Sequence, residues 1–122
     1  VSGTTNLIKV HVVGHVLMKG KSINDKVVSG NICVCKTASE LLHNYKPGDI
    51  IVIEETNNEM MPQLRTASAL IVEKGGLSSH AAVVGMSLDI PVLLEAKNAT
   101  EILKQGAFVT VDSKKGIVYA NK

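Results

Sequence analysis

Asp49 to Leu94, DIIVIEETNNEMMPQLRTASALIVEKGGLSSHAAVVGMSLDIPVLL, decides the fold class. Asp49–Thr56 opens it as a nearly continuous apolar run, the pattern of a strand covered on both faces. EMMPQLRTA reads as a helical turn or short helix, and Ser68–Lys74 (SALIVEK) as a second buried strand. Gly75-Gly76 then breaks the chain. Ser78 is placed to cap a helix running through about Leu88, after which IPVLLEA reads as a third short strand. Strand, helix, strand, helix, strand implies parallel pairing with right-handed crossovers.

Outward from this block the chain ends supply antiparallel pieces. NLIKVHVVGHVLMKG (Asn6–Gly20) is rich in β-branched residues and interrupted by Gly14, so it reads as a strand, a kink and a second strand. Val27–Lys36 is another strand, with Gly30 marking a bulge or sharp bend. Thr37, followed three places on by Glu40, fits a capping box for a short helix that Pro47-Gly48 stops. NATEILKQG gives a last short helix with Asn98 as cap and Gly106 as stop, and AFVTVDSKKGIVYA a hairpin turning near Lys115-Gly116. The fold class is α/β, a β/α sandwich with a mixed sheet and short flanking helices. The chain contains no internal repeat and no low-complexity linker.

Composition agrees. Of 122 residues 45% are hydrophobic, yet Phe108, Tyr45 and Tyr119 are the only aromatics, so the core must be built from Val, Ile, Leu, Ala and Met. Thirteen basic against eleven acidic residues leave a net charge of +2. With no block of like charge, nothing favours nucleic acid or an anionic membrane as partner. Cys33 and Cys35, two apart in a strand, should share one face; that spacing suits neither a bridge between them nor a metal site. A reducing compartment follows. In the absence of a leader or a bilayer-length apolar run, the expected location is the cytoplasm. Val1 in place of methionine suggests a piece of something longer.

The chemistry concentrates in VEKGGLSSHAAVVGMSL (Val72–Leu88). If a helix starts near Ser78 or Ser79, His80 lies in its first turn, where backbone N–H groups lack internal partners and the dipole is positive. A phosphoryl group on His80 would meet those donors. The same positive end favours the neutral ring, which keeps a lone pair for attack. Gly75 and Gly76 let an anionic partner approach the backbone closely, and Ser78 and Ser79 add hydroxyl donors. The bland alternative is a solvated histidine beside ordinary turn glycines.

GGLSSHAAVV resembles the phosphohistidine signature of the mobile domain of phosphoenolpyruvate-utilising enzymes, in which two glycines, a variable residue, Thr or Ser and one further residue precede a His and small residues. GDIIVIEETNNEMMPQLRTASALIVEKGG is similar to that family's strand, loop, proline-containing helix and strand, and IPVLL falls at its Ile-Pro strand. The likeness covers roughly Gly20 to the C-terminus. It implies a swivelling β/β/α domain whose histidine ferries a phosphoryl group between a nucleotide-binding domain and a phosphoenolpyruvate barrel. By this resemblance His80 is the acceptor, Ser78 takes the place of the usual Thr, and Gly75 and Gly76, with Ser79, form the phosphate-approach loop. The chain holds no Gly-x-x-x-x-Gly-Lys loop, so alone it completes at most a half-reaction.

SGTTNLIKVHVVG (Ser2–Gly14) is similar to the final strand of the pyruvate kinase catalytic body, to which an extra mobile domain is attached in several bacterial members. That resemblance implies a division at residues 1–14 and 15–122. The full enzyme would transfer phosphoryl between phosphoenolpyruvate and ADP with Mg and K. Partners would be a catalytic body of the same or a neighbouring subunit and a phosphoryl donor such as phosphoenolpyruvate. Two roles stay open: a carrier phosphorylated on His80, or a module that stabilises or regulates the oligomer. A carrier domain of a dikinase or phosphoenolpyruvate synthase-like enzyme is the alternative parent.

The sequence departs from the pattern in three places. Gly85-Met86 stand where Ala-Arg is usual, Asp89 replaces a Gly before Ile-Pro, and Glu95-Ala96 replace the Gly closing that strand. If the two carboxylates face His80, their charge would oppose phosphorylation. His11 and His15 lie about 13 Å apart on a strand, too far to share a metal. His43 and Lys114-Lys115 read as surface, and Met60-Met61 as core filler.

Overall fold

The computed structural model describes residues 16–120. The strand ahead of Gly14, His11 and His15, and the division near residue 14 lie outside the described residues. In chain order the elements are β1 (Val16–Lys19), β2 (Lys21–Ser22), β3 (Val27–Val34), α1 (Ala38–Asn44) and β4 (Ile50–Ile53). A 3-10 turn (Asn58–Met60) then runs into α2 (Met61–Leu64), followed by β5 (Ala69–Val72), α3 (His80–Leu88), β6 (Val92–Leu94), α4 (Ala99–Ile102), β7 (Phe108–Asp112) and β8 (Ile117–Ala120).

The strands form one eight-stranded mixed sheet in the order β1-β8-β7-β3-β4-β5-β6-β2. β3 to β6 pair in parallel, as the alternation of strands and helices requires, and β7, β8 and β1 form an antiparallel wing. The long strand β3 joins the two. Its first part, from Val27 to Asn31, pairs antiparallel with β7, and Ile32 to Val34 pair parallel with β4. Gly30 stands opposite Val109 in a ladder without a register shift, so of the bulge or sharp bend expected there the bulge is absent.

Alternation along the buried strands builds two cores. Ile51, Ile53, Leu70 and Val72 face one side, against Leu41 of α1, Leu64 of α2 and Ala81, Ala82 and Val84 of α3. Ile50, Val52, Ala69 and Ile71 face the other, against Val109 and Val111 of β7, Val118 of β8 and Met18 of β1. The antiparallel wing therefore folds back over the parallel strands, and the layers run helix, sheet, sheet. Each fully buried aliphatic side chain contributes roughly 1.5–3 kcal/mol, which is how a core nearly free of aromatics holds.

The two edge strands β1 and β2 are separated in sequence by Gly20 alone. The sheet curls until its edges meet at this residue. Gly20 N–H donates to Gly116 O of the β7–β8 turn at 2.9 Å, while a β-carbon on Gly20 would lie 3.0 Å from Leu94 O of β6. β2, not foreseen from sequence, pairs antiparallel with β6.

The helix termini agree with their local sequence signals only in part. Thr37 Oγ1 accepts from Glu40 N–H at 3.1 Å, but Glu40 Oε1 accepts from Lys36 N–H at 2.8 Å, one residue beyond the Thr37 N–H of a strict capping box. Asn98 precedes α4 with φ 61° and makes no side-chain cap; its left-handed backbone differs from the extended conformation that a capping side chain ordinarily takes. α4 ends at Ile102, several residues before Gly106.

Candidate functional site

β4 and β5 run in parallel register with Ile53 opposite Val72, and both end there. The loops that leave them therefore emerge side by side at the carboxyl edge of the sheet, where α/β folds commonly place ligands. One loop carries Thr56 and Asn58. The other carries Gly75 to Ser79 and delivers His80.

Ser79, not Ser78, caps α3. Its Oγ accepts from Ala82 N–H at 3.4 Å and donates to Gly76 O at 2.7 Å. Ser79 N–H also donates to Gly76 O at 3.0 Å, closing a turn in which Ser78 is a corner residue. The turn delays the helix by one residue and leaves Ser78 exposed. Gly75 has φ 108°, and a β-carbon there would fall 2.9 Å from Ser79 Oγ. Only glycine fits both the backbone and the space.

His80 is the first residue of α3, at the positive end of the helix. Its two ring nitrogens are both engaged. Nδ1 lies 2.8 Å from Thr56 Oγ1, and Nε2 lies 2.9 Å from Asn58 Oδ1. An amide oxygen only accepts, so Nε2–H is the donor in that contact, and in the neutral ring the Thr56 hydroxyl donates to Nδ1. Thr56 is 9% exposed, whereas Asn58 is open to solvent. The imidazole thus rests its Nδ1 side on the protein and turns Nε2 outward.

Glu55, Thr56, Lys74, Gly75 and Ser79 line a shallow cleft with His80. Lys74 Nζ pairs with Glu54 Oε2 at 3.1 Å, and that carboxylate holds the ammonium above its ordinary range. Gly76 and Ser78 are not among the lining residues; Gly76 enters the site through its carbonyl, as the acceptor for Ser79.

The departures from the resembled pattern now have places. Asp89 closes the opposite end of α3, about 13 Å along the helix from His80, and pairs with Lys26 at 3.0 Å. Its charge is directed away from the ring. Glu95 follows β6 with φ 53° and is not among the cleft-lining residues. Gly85 is buried against Val92, and Met86 is exposed. His43 is exposed, with Nδ1 2.8 Å from Ser39 O, and Met60 is core. Cys33 and Cys35 share one core as free thiols with Sγ atoms 3.5 Å apart.

Thr56 and Asn58 were not singled out from sequence, because 24 and 22 residues separate them from His80. The one available signal was the parallel register itself, which puts whatever follows β4 beside whatever follows β5.

The sequence profile described as PEP-utilising enzyme, mobile domain, matches residues 45–116. A pyruvate kinase of Bacillus licheniformis is 49% identical over 121 residues, covering 99% of this chain and 21% of that protein. A probable phosphoenolpyruvate synthase of Pyrococcus horikoshii is 39% identical over 116 residues, 95% of this chain and 14% of that protein. Among solved structures, aconitase X of Thermococcus kodakaraensis superposes with a TM-score of 0.66 over 84% of this chain and 95% of that one, at 19% identity. That last likeness is one of fold alone. The chain spans about one fifth of the length of the pyruvate kinase it matches.

Proposed function

Because this chain belongs to the family of PEP-utilising enzyme mobile domains, we propose that it is the phosphohistidine-type module of a bacterial pyruvate kinase, swivelling as one body and accepting a phosphoryl group on Nε2 of His80. Higher identity to the pyruvate kinase than to the synthase favours the first as parent. The observation that carries the acceptor role is the orientation of the imidazole, held by Thr56 on its buried side with Nε2 toward the open side. In the transfer Nε2, its proton lost to water while Nδ1 takes one up, uses the freed lone pair to form the N–P bond as the donor's P–O bond breaks, and the electron pair leaves with the oxygen. With phosphoenolpyruvate as donor, the enolate released takes a proton to become pyruvate. Ser79 and Gly75 shape the approach; Lys74 in the cleft is paired with Glu54 and stands beside Glu55, so the positive element facing the group is the start of α3.

Mg and K are expected of the full enzyme in this reading; among the described residues no three His, Cys, Asp or Glu side chains are grouped to hold a metal ion. Among those residues, too, no helix is long and apolar enough to cross a membrane. A cytoplasmic setting fits the proposed glycolytic parent.

A second role is favoured by a separate observation. No charged residue occurs between Lys74 and Asp89. Within that stretch Leu77, Val83 and Met86 are 60%, 56% and 63% exposed. An uncharged, apolar helix face is suited to seat on another surface. With relatives about five times as long, its occupant in this reading is the catalytic body of the same or a neighbouring pyruvate kinase subunit.

Intact mass at neutral to alkaline pH, after incubation of the full-length enzyme with phosphoenolpyruvate and magnesium, tests the carrier role. One acid-labile phosphoryl group, absent in His80→Ala, is expected. No gain with phosphoenolpyruvate or a phosphorylated partner protein would leave the docking role alone.

A further inference from the structure

We infer that Asn58 is a positioning residue that keeps Nε2 of His80 protonated and capped, so that the acceptor is inert until the amide is displaced. The inference rests on the reading of His80 as acceptor and concerns how that nitrogen is withheld. Attack on phosphorus needs an in-plane lone pair on Nε2. With Asn58 Oδ1 at 2.9 Å, that position is taken by a proton and the proton's acceptor. Thr56 Oγ1, at 2.8 Å from Nδ1, fits either tautomer, because a hydroxyl both donates and accepts. Asn58 therefore makes the choice, since its two amide ends have opposite hydrogen-bonding character.

The surroundings fit a movable cap. The backbone is anchored on either side: Asn57 Oδ1 accepts from Glu59 N–H at 2.9 Å, Met60 N–H donates to Asn57 O at 3.1 Å, and the Met60 side chain is buried. The Asn58 side chain is nonetheless exposed, so it can swing without disturbing the 3-10 turn. Release moves one proton from Nε2 to water while Nδ1 takes one from water and donates it to Thr56 Oγ1. Nε2 is then unprotonated and open. In the resting state the cap also limits adventitious transfer to a half-buried histidine whose Nε2 faces the open side.

Two measurements on the chain test this. Long-range ¹⁵N–¹H spectra of the imidazole at neutral to alkaline pH should place the proton on Nε2, with its exchange with water slowed. Asn58→Ala should abolish that protection. A wild-type ring protonated on Nδ1, or protection unchanged in Asn58→Ala, overturns the inference. The second measurement follows phosphoryl gain by intact mass with potassium phosphoramidate as donor, in which the P–N bond breaks and ammonia leaves. Asn58→Ala should gain the group several-fold faster than wild type, and Asn58→Asp, a stronger acceptor with a negative charge, more than tenfold slower. Slowing in both variants, the outcome of a merely structural role, also overturns it. If no form takes up phosphoryl, the carrier reading falls while the spectra still decide whether Asn58 caps Nε2.

Discussion

A β-carbon on Gly85 would lie 2.1 Å from Val92 Cγ2, so α3 meets β6 with no room for any side chain at that turn of the helix. Helix propensity alone predicts that Gly85→Ala stabilises by about 1 kcal/mol. Overpacking predicts the reverse, a loss of about 1–3 kcal/mol. The contact distance decides for the second, and urea unfolding of Gly85→Ala should show a lower midpoint. The same contact explains why this position departs from the alanine usual in the signature.

The cap of α3 gives a paired comparison. Ser79→Ala should cost about 1 kcal/mol, the usual loss for an N-cap hydroxyl. Ser78→Ala should stay within about 0.5 kcal/mol, as for an exposed surface position. Chemical denaturation of both variants checks the order, and a larger loss in Ser78→Ala than in Ser79→Ala would return the cap to Ser78.

Thr56→Val keeps the shape of the side chain and removes the partner of Nδ1. A hydrogen bond of this kind is worth about 1 kcal/mol, so phosphoryl transfer to His80 should slow by about fivefold. Transfer rates from phosphoramidate, compared with unfolding midpoints, separate an effect on the ring from an effect on the fold.

The thiol pair predicts a pH dependence. The hydrogen bond from Cys35 pulls the Cys33 thiol down, whereas that bond together with burial pushes Cys35 far up. Cys35 therefore keeps its proton in the folded protein at pH values where the unfolded chain, with a thiol pKa of about 8.5, has lost it. The folded state then binds more protons, and stability falls as pH rises above that value. Cys33, held low, acts the other way only below that value, so unfolding free energy should decline from about pH 8.5 upward, and the double variant Cys33→Ala with Cys35→Ala should flatten the decline. Both thiols should resist alkylation until the chain unfolds.

The buried strands were legible because Ile50–Ile53 and Ala69–Val72 are apolar on both faces, a pattern few other structures permit. Their parallel order followed from the helices between them. His80 was legible because the glycines before it and the helix after it are local. Thr56 and Asn58 were not, since their contact with the ring exists only through the register of β4 against β5. The cap falls on Ser79 and not on Ser78 because the Gly76–Ser79 turn shifts the helix start by one residue, and sequence spacing does not register that shift. The directions of Asp89 and Glu95 also required coordinates, as both adopt left-handed backbone conformations that residue type alone does not predict.

Gly20 ties the β7–β8 turn to the end of β6 while leading β1 directly into β2. Whatever precedes β1 is thus roped to a seam rather than to one flap of the sheet. β1 and β2 form one continuous border joined at a single residue, hydrogen-bonded to β8 on one side of it and to β6 on the other, so a change at Gly20 is felt at both edges of the sheet at once.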